Sequence, residues 1–150
     1  MLTDEIKKTI AEYADGMSNP VSIILNVGDH EKRQELVEFL TSVAGVADSI
    51  DFFERDISKN VRSPITFYIE ANGEPTGIHF SGIPGGHEFN TFILALLQSG
   101  GVEIKLEDRL KRVIGAVTEQ LYFEVFVSLS CHNCPEVVQS INQFALLNEN

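Results

Sequence analysis

Residues 121–135 tie one secondary-structure pattern to one piece of chemistry, and together these restrict the fold more than any other stretch. Leu121, Phe123, Val125, Val127 and Leu129 alternate with Tyr122, Glu124, Phe126 and Ser128. A period of two is that of a strand whose side chains point to opposite faces. The pattern runs straight into Cys131-His132-Asn133-Cys134-Pro135. From Glu136 to Leu147 the spacing becomes helical, with Val137, Val138, Ile141, Phe144 and Ala145 facing a core. A strand that passes directly into a helix, with two cysteines at the junction, places the first sulfur at the helix N-terminus. Unpaired backbone N–H groups and the positive end of the helix dipole favour a thiolate there.

On this reading Cys131 is the nucleophile. Cys134, one turn deeper, attacks the mixed disulfide formed on Cys131 and releases the partner's reduced sulfur. Pro135 suits the first turn, where its missing N–H is not needed. His132 and Asn133 tune the thiolate and hence the redox poise, for which about 30 mV corresponds to roughly 1.4 kcal/mol. Two other readings of the pair stand beside this one. Cys-x-x-Cys is also half of a zinc site, which would have to be completed from His30, His79, His87 and His132. Alternatively, the two cysteines are inert packing residues.

Composition narrows the partners. Among 150 residues, 22 are Asp or Glu and 11 are Lys or Arg, a net charge of −11. Such a surface repels phosphate backbones and anionic lipid, so neither nucleic acid nor membrane is expected as a partner. The longest apolar run, Phe92 to Leu97, is six residues, against the roughly 20 that a membrane helix needs. Met1 to Lys8 carries acids where a secretory signal would carry bases. A cytoplasmic protein is expected, and two cysteines alone exclude a disulfide-stapled secreted scaffold.

The remainder of the chain reads as an α/β unit. Leu2, Ile6, Ile10, Tyr13 and Met17 share a helical face, and that stripe is read as a docked helix rather than a partner-binding face. Val21 to Val27 is a buried strand. Glu31 to Ala47 is a helix with Asp29 as its N-cap. Ile50 to Asp56 and Ile65 to Glu70 are strands, the second opened by Pro64. Asn72-Gly73-Glu74-Pro75 turns the chain into a returning strand, Gly77 to Phe80. Gly82-Ile83-Pro84-Gly85-Gly86 lacks the residues of a phosphate cradle and is read as a loop entering a helix that runs from about His87 to Gln98. Glu88 is either a first-turn carboxylate favoured by the helix dipole or, if the two halves of the chain pack together, a proton relay near the dithiol.

The order β-α-β, hairpin, helix is that of a thioredoxin-like fold. A charged helix, Ile104 to Ile114, with Leu106, Leu110, Val113 and Ile114 inward, then connects to the cysteine unit. The sequence therefore predicts a cysteine-free thioredoxin-like fold over residues 1–101, a connection over 102–118, and the first strand-helix unit of a second thioredoxin-like fold over 119–150.

Three strings carry a resemblance: Ser128 to Gln139 around the cysteines, Phe80-Ser81-Gly82-Ile83-Pro84-Gly85-Gly86-His87-Glu88-Phe89 upstream, and Leu94 to Gly101 between them. Together they resemble the N-terminal domain of the bacterial alkyl hydroperoxide reductase flavoprotein subunit, along essentially the whole chain. The resemblance implies two consecutive thioredoxin-like folds, the second bearing the dithiol. It implies a module that takes electrons from a flavin domain and passes them to a peroxiredoxin disulfide in peroxide detoxification. Cys131 would be the interchange thiol, Cys134 its partner, and Glu88 a proton relay from the cysteine-free fold. FAD and NADH would belong to the remainder of the flavoprotein, a homodimer at full length, with no cofactor or metal in this segment. The family pattern continues past Asn150 through a proline-containing loop and the flavin-binding body, so activity of these 150 residues alone is not implied. A docking or dimerisation fragment, pairing the 121–129 strand with another chain, is the alternative.

Overall fold

The computed structural model describes residues 2–57 and 61–150. Helix α1 (Asp4–Ala14) is capped by Thr3, whose hydroxyl accepts from the Ile6 N–H at 3.3 Å. Strand β1 (Val21–Asn26) follows, then α2 (Arg33–Ala44), β2 (Ile50–Arg55), β3 (Thr66–Ala71) and β4 (Glu74–Ser81). A short 3-10 turn over Gly86–Glu88 leads into α3 (Phe89–Ser99), and α4 (Asp108–Gly115) and α5 (Cys134–Leu147) complete the elements.

The sheet order is β2-β1-β3-β4, with β1 and β2 parallel and the other pairs antiparallel. Those directions make the thioredoxin-like arrangement that the sequence predicts. Strand β1 sits between two neighbours, and its Val21, Ile23, Ile24 and Leu25 are fully buried. Val21, Ile23 and Leu25 join Phe67 and Ile69 of β3, Leu36, Leu40 and Val43 of α2, and Phe92 and Leu96 of α3 in one core. The Phe39 ring meets those of Phe89 and Phe92 at 6.2 and 5.9 Å, which brings α2 against α3. At the β3–β4 hairpin, Asn72 (φ 52°) and Gly73 (φ 80°) both take the left-handed conformation that a tight hairpin turn requires.

Strand β3 is buried on both faces, not only through the predicted Ile65, Phe67 and Ile69. Tyr68 and Glu70 on its other face are satisfied by each other and by Arg55. Asp29 does not cap α2. The helix starts at Arg33 after Lys32, and a His30 ring nitrogen accepts the Lys32 N–H at 3.0 Å. Helix α4 begins at Asp108 rather than Ile104, and its supposedly inward Leu110 and Val113 are exposed. The stripe finds little to pack on, although Asn148 ties its end to α5 by donating to the Ile114 and Val117 carbonyls.

The largest departure is at residues 121–129. No strand forms there, because the segment has no ladder partner among the described residues. Its alternation nevertheless survives as a difference in exposure. Leu121, Phe123, Val125, Val127 and Leu129 are 39–54% exposed, against 84% for Tyr122 and 83% for Phe126. The period of two records which face is covered and says nothing of hydrogen bonding. Among the described residues, no helix is long and apolar enough to cross a membrane.

Candidate redox site

Helix α5 starts at Cys134, with Asn133 as its cap and Pro135 in its first turn, where no intrahelical N–H is needed. Cys131 lies in the turn just before the helix, and its N–H donates to the Ser128 carbonyl at 2.9 Å. The two cysteines form a disulfide with Cα atoms 5.5 Å apart. Both are partly exposed, while His132 and Asn133 between them are exposed to solvent. The disulfide therefore sits at the surface end of α5, above a face on which Val138, Ile141, Asn142 and Ala145 follow at helical spacing.

That face packs on the cysteine-free fold. Ala145 and Leu146 lie against its core. The turn before α3 meets the cysteine turn directly: the His87 N–H donates to the Leu129 carbonyl at 3.2 Å, and the His87 and His132 rings lie 4.5 Å apart. Gly86 makes this approach possible. It has φ 55°, and a Cβ there would stand 2.6 Å from the Leu129 carbonyl oxygen.

Glu88 follows His87 and is 3% exposed. Its Oε2 accepts the Thr91 hydroxyl at 2.8 Å, whereas its Oε1 is buried without a hydrogen-bond partner among the described residues. It lines a cavity of about 150 Å³ with Val125, Val127, Leu129, Val138 and Asn142. The two halves of the chain thus do pack together, which is the condition under which Glu88 could serve the dithiol. Asn142, whose Nδ2 is likewise buried and unpartnered among the described residues, belongs to no sequence motif. Its one signal in the sequence is an amide on an otherwise apolar face of α5. The sequence offers His87 as the start of a helix and as a completing zinc ligand, and the structure makes it the contact between the two turns. Among the described residues, no three His, Cys, Asp or Glu side chains are grouped to hold a metal ion.

Comparison with known proteins gives the chain its relatives. The F subunit of alkyl hydroperoxide reductase, AhpF, from Pseudomonas aeruginosa is 36% identical over 150 residues, all of this chain and 28% of the relative. The Escherichia coli AhpF is 38% identical over 148 residues, 99% of this chain and 28% of the relative. Among solved structures, the N-terminal domain of Enterococcus faecalis AhpF aligns with 99% of this chain and 76% of that one, at a TM-score of 0.86 and 28% identity. Along essentially its whole length the chain is similar to the N-terminal part of AhpF. It spans 28% of the length of those curated AhpF sequences. A protein disulfide oxidoreductase from Aeropyrum pernix shares the fold of this chain at a TM-score of 0.80, with 18% identity over 98% of this chain and 68% of that one. No protein-family model matches the chain.

Proposed function

We propose that the chain is a thiol–disulfide electron-transfer module that passes reducing equivalents from a flavin domain to the disulfide of a peroxiredoxin. The observation that carries this is a Cys131–Cys134 disulfide at the partly exposed start of α5, a helix that packs on a cysteine-free thioredoxin-like fold. The relatives' name, alkyl hydroperoxide reductase, supports a peroxide-linked partner. FAD and NADH belong, on this reading, to the longer part of the flavoprotein, and the setting is the cytoplasm.

The reaction runs in two exchanges. The Cys131 thiolate attacks one sulfur of the partner disulfide, forming a mixed disulfide and releasing a partner thiolate, which takes a proton from solvent. Cys134 then gives its proton to Glu88, and its thiolate attacks the Cys131 sulfur. The Cys131–Cys134 disulfide forms and the second partner thiolate leaves. That thiolate takes the proton back from Glu88, so the partner gains two electrons and two protons, one from solvent and one from Cys134 by way of Glu88. Exposure favours Cys131 as the attacking sulfur less than position does: Cys134 is inside the helix, above the cavity, and Cys131 lies in the open turn before it. His132 and Asn133 flank both sulfurs and tune the potential.

A reduced chain mixed with an oxidised peroxiredoxin tests this directly. Cys134→Ser should trap a mixed disulfide through Cys131, and Cys131→Ser should trap none. Equal trapping by both variants, or by neither, overturns the assignment. The exposed 121–129 segment favours a second reading, a surface that docks another chain by strand pairing.

A further inference from the structure

We infer that His87 is a positioning residue for the redox pair: its ring, resting against His132, holds the loop between the cysteines in the form that the disulfide needs. This deepens the electron-transfer reading and rests on it. It adds a residue of the cysteine-free fold that sets how strongly the pair reduces a partner.

The cysteine turn is held from both sides. Within its own half of the chain, the Cys131 N–H donates to the Ser128 carbonyl at 2.9 Å, and α5 starts at Cys134 with Asn133 as its cap. From the other half, the His87 N–H donates to the Leu129 carbonyl at 3.2 Å, and the His87 ring lies 4.5 Å from the His132 ring at an interplanar angle of 56°. The backbone bond stops short of the cysteines. The ring contact reaches inside the loop that the disulfide closes, because His132 stands between Cys131 and Cys134. Both rings are exposed to solvent. Among the described residues neither imidazole makes a hydrogen bond or an ion pair, which leaves their mutual contact to place them.

That placement couples the contact to the sulfur chemistry. The disulfide fixes the loop with its Cα atoms 5.5 Å apart, and a fixed loop brings His132 to His87 with little further loss of conformational freedom. Linkage makes the effect reciprocal: a loop held by His87 keeps the two thiols close, so joining them orders less. Ring pairs at such separations contribute a factor of roughly two to ten to an equilibrium constant. Part of that factor is made in both redox states, and the remainder favours the disulfide. A pair drawn toward its disulfide is the stronger reductant as a dithiol.

The test equilibrates the whole chain with mixtures of reduced and oxidised glutathione near neutral pH and counts free thiols by alkylation and mass. In forming its disulfide the pair gives two electrons and two protons to oxidised glutathione, which becomes two reduced molecules. His87→Ala should shift the equilibrium constant about threefold toward the dithiol, a rise of about 15 mV in potential. His87→Phe, which keeps a ring at that position, should restore most of it. In a His132→Ala background, His87→Ala should change nothing further. Urea unfolding gives a second readout: His87→Ala should lower the folding equilibrium constant of the oxidised chain about threefold more than that of the reduced chain, because the unfolded chain has no ring contact to lose. A merely structural residue would lower both equally and leave the glutathione equilibrium where it was. An equilibrium constant unmoved by His87→Ala, or moved equally with and without His132, overturns the His87 role and leaves the electron-transfer reading intact. A wild-type pair that does not exchange with glutathione at all overturns both.

Discussion

Two buried carboxylates are treated in opposite ways. Glu70 Oε1 accepts from Arg55 at 2.7 Å and from the Tyr68 hydroxyl at 3.0 Å, and the Arg55 guanidinium also donates to the Tyr68 oxygen at 2.8 Å. Glu88 keeps one oxygen without a hydrogen-bond partner among the described residues. The first group holds β2 to β3, and the second is hydrogen-bonded only to the Thr91 hydroxyl among the described residues. The structural cluster has a pH signature. Burial, with the Glu70 carboxylate alongside, holds the Tyr68 phenol above its ordinary value of 10. As pH rises past about 10, tyrosine in the unfolded chain loses its proton first, so the folded state then binds more protons than the unfolded one. The stabilisation is complete below that value and is lost as pH climbs through the folded pKa. Tyr68→Phe should cost about 1 kcal/mol near neutral pH from the lost hydrogen bonds. Urea unfolding at about pH 8 and about pH 11 should show a steeper alkaline loss in the wild type than in the variant. Parallel pH dependence in the two would remove Tyr68 as the cause.

At the level of elements, the contact between the 3-10 turn and the cysteine turn decides whether Glu88 belongs to the dithiol at all. Gly86 is where it is most easily broken. Alanine there meets the Leu129 carbonyl and must also adopt a left-handed backbone, which costs roughly 1–2 kcal/mol for an L-residue. Gly86→Ala should therefore lower stability by about that much and loosen the His87–Leu129 hydrogen bond. Denaturant unfolding and the line shape of the His87 and His132 ring resonances would report it, and unchanged ring resonances would sink the idea. None of this contact can be read from the sequence, since it depends on two segments more than 40 residues apart meeting through a backbone carbonyl. What can be read is local. The dithiol at the head of α5, the buried β1, the hairpin turn and the apolar stripe of α3 all follow from short-range spacing. Helix starts are less legible: neither Asp29 nor Ile104 opens its helix, because a cap and an apolar stripe count only where the backbone and a packing surface accept them. The 121–129 alternation is legible as a sidedness and misleading as a strand.

Across the whole molecule, order is distributed unevenly in a way that follows the hydrogen bonds. Strand β1 is paired on both sides and fully buried over Val21, Ile23, Ile24 and Leu25. Residues 121–129 border the Glu88 cavity through Val125, Val127 and Leu129, yet expose every side chain and pair with no strand among the described residues. The contacts are side-chain contacts, and side-chain contacts alone do not shield amides from water. Native-state hydrogen exchange should accordingly separate the two segments. Amides of β1 and β3 should exchange only through opening of the whole sheet, and those of 121–129 at least roughly a thousandfold faster, a ratio set by an unfolding free energy of several kcal/mol. Covering the segment would change this. If a second copy or a partner adds a strand to it, the same amides become protected in a concentration-dependent manner, and sedimentation must show the matching larger species. Strong protection of 121–129 in a chain that sediments as a monomer would contradict both the exposed arrangement and the docking reading, because neither gives those amides a strand partner among the described residues of one chain.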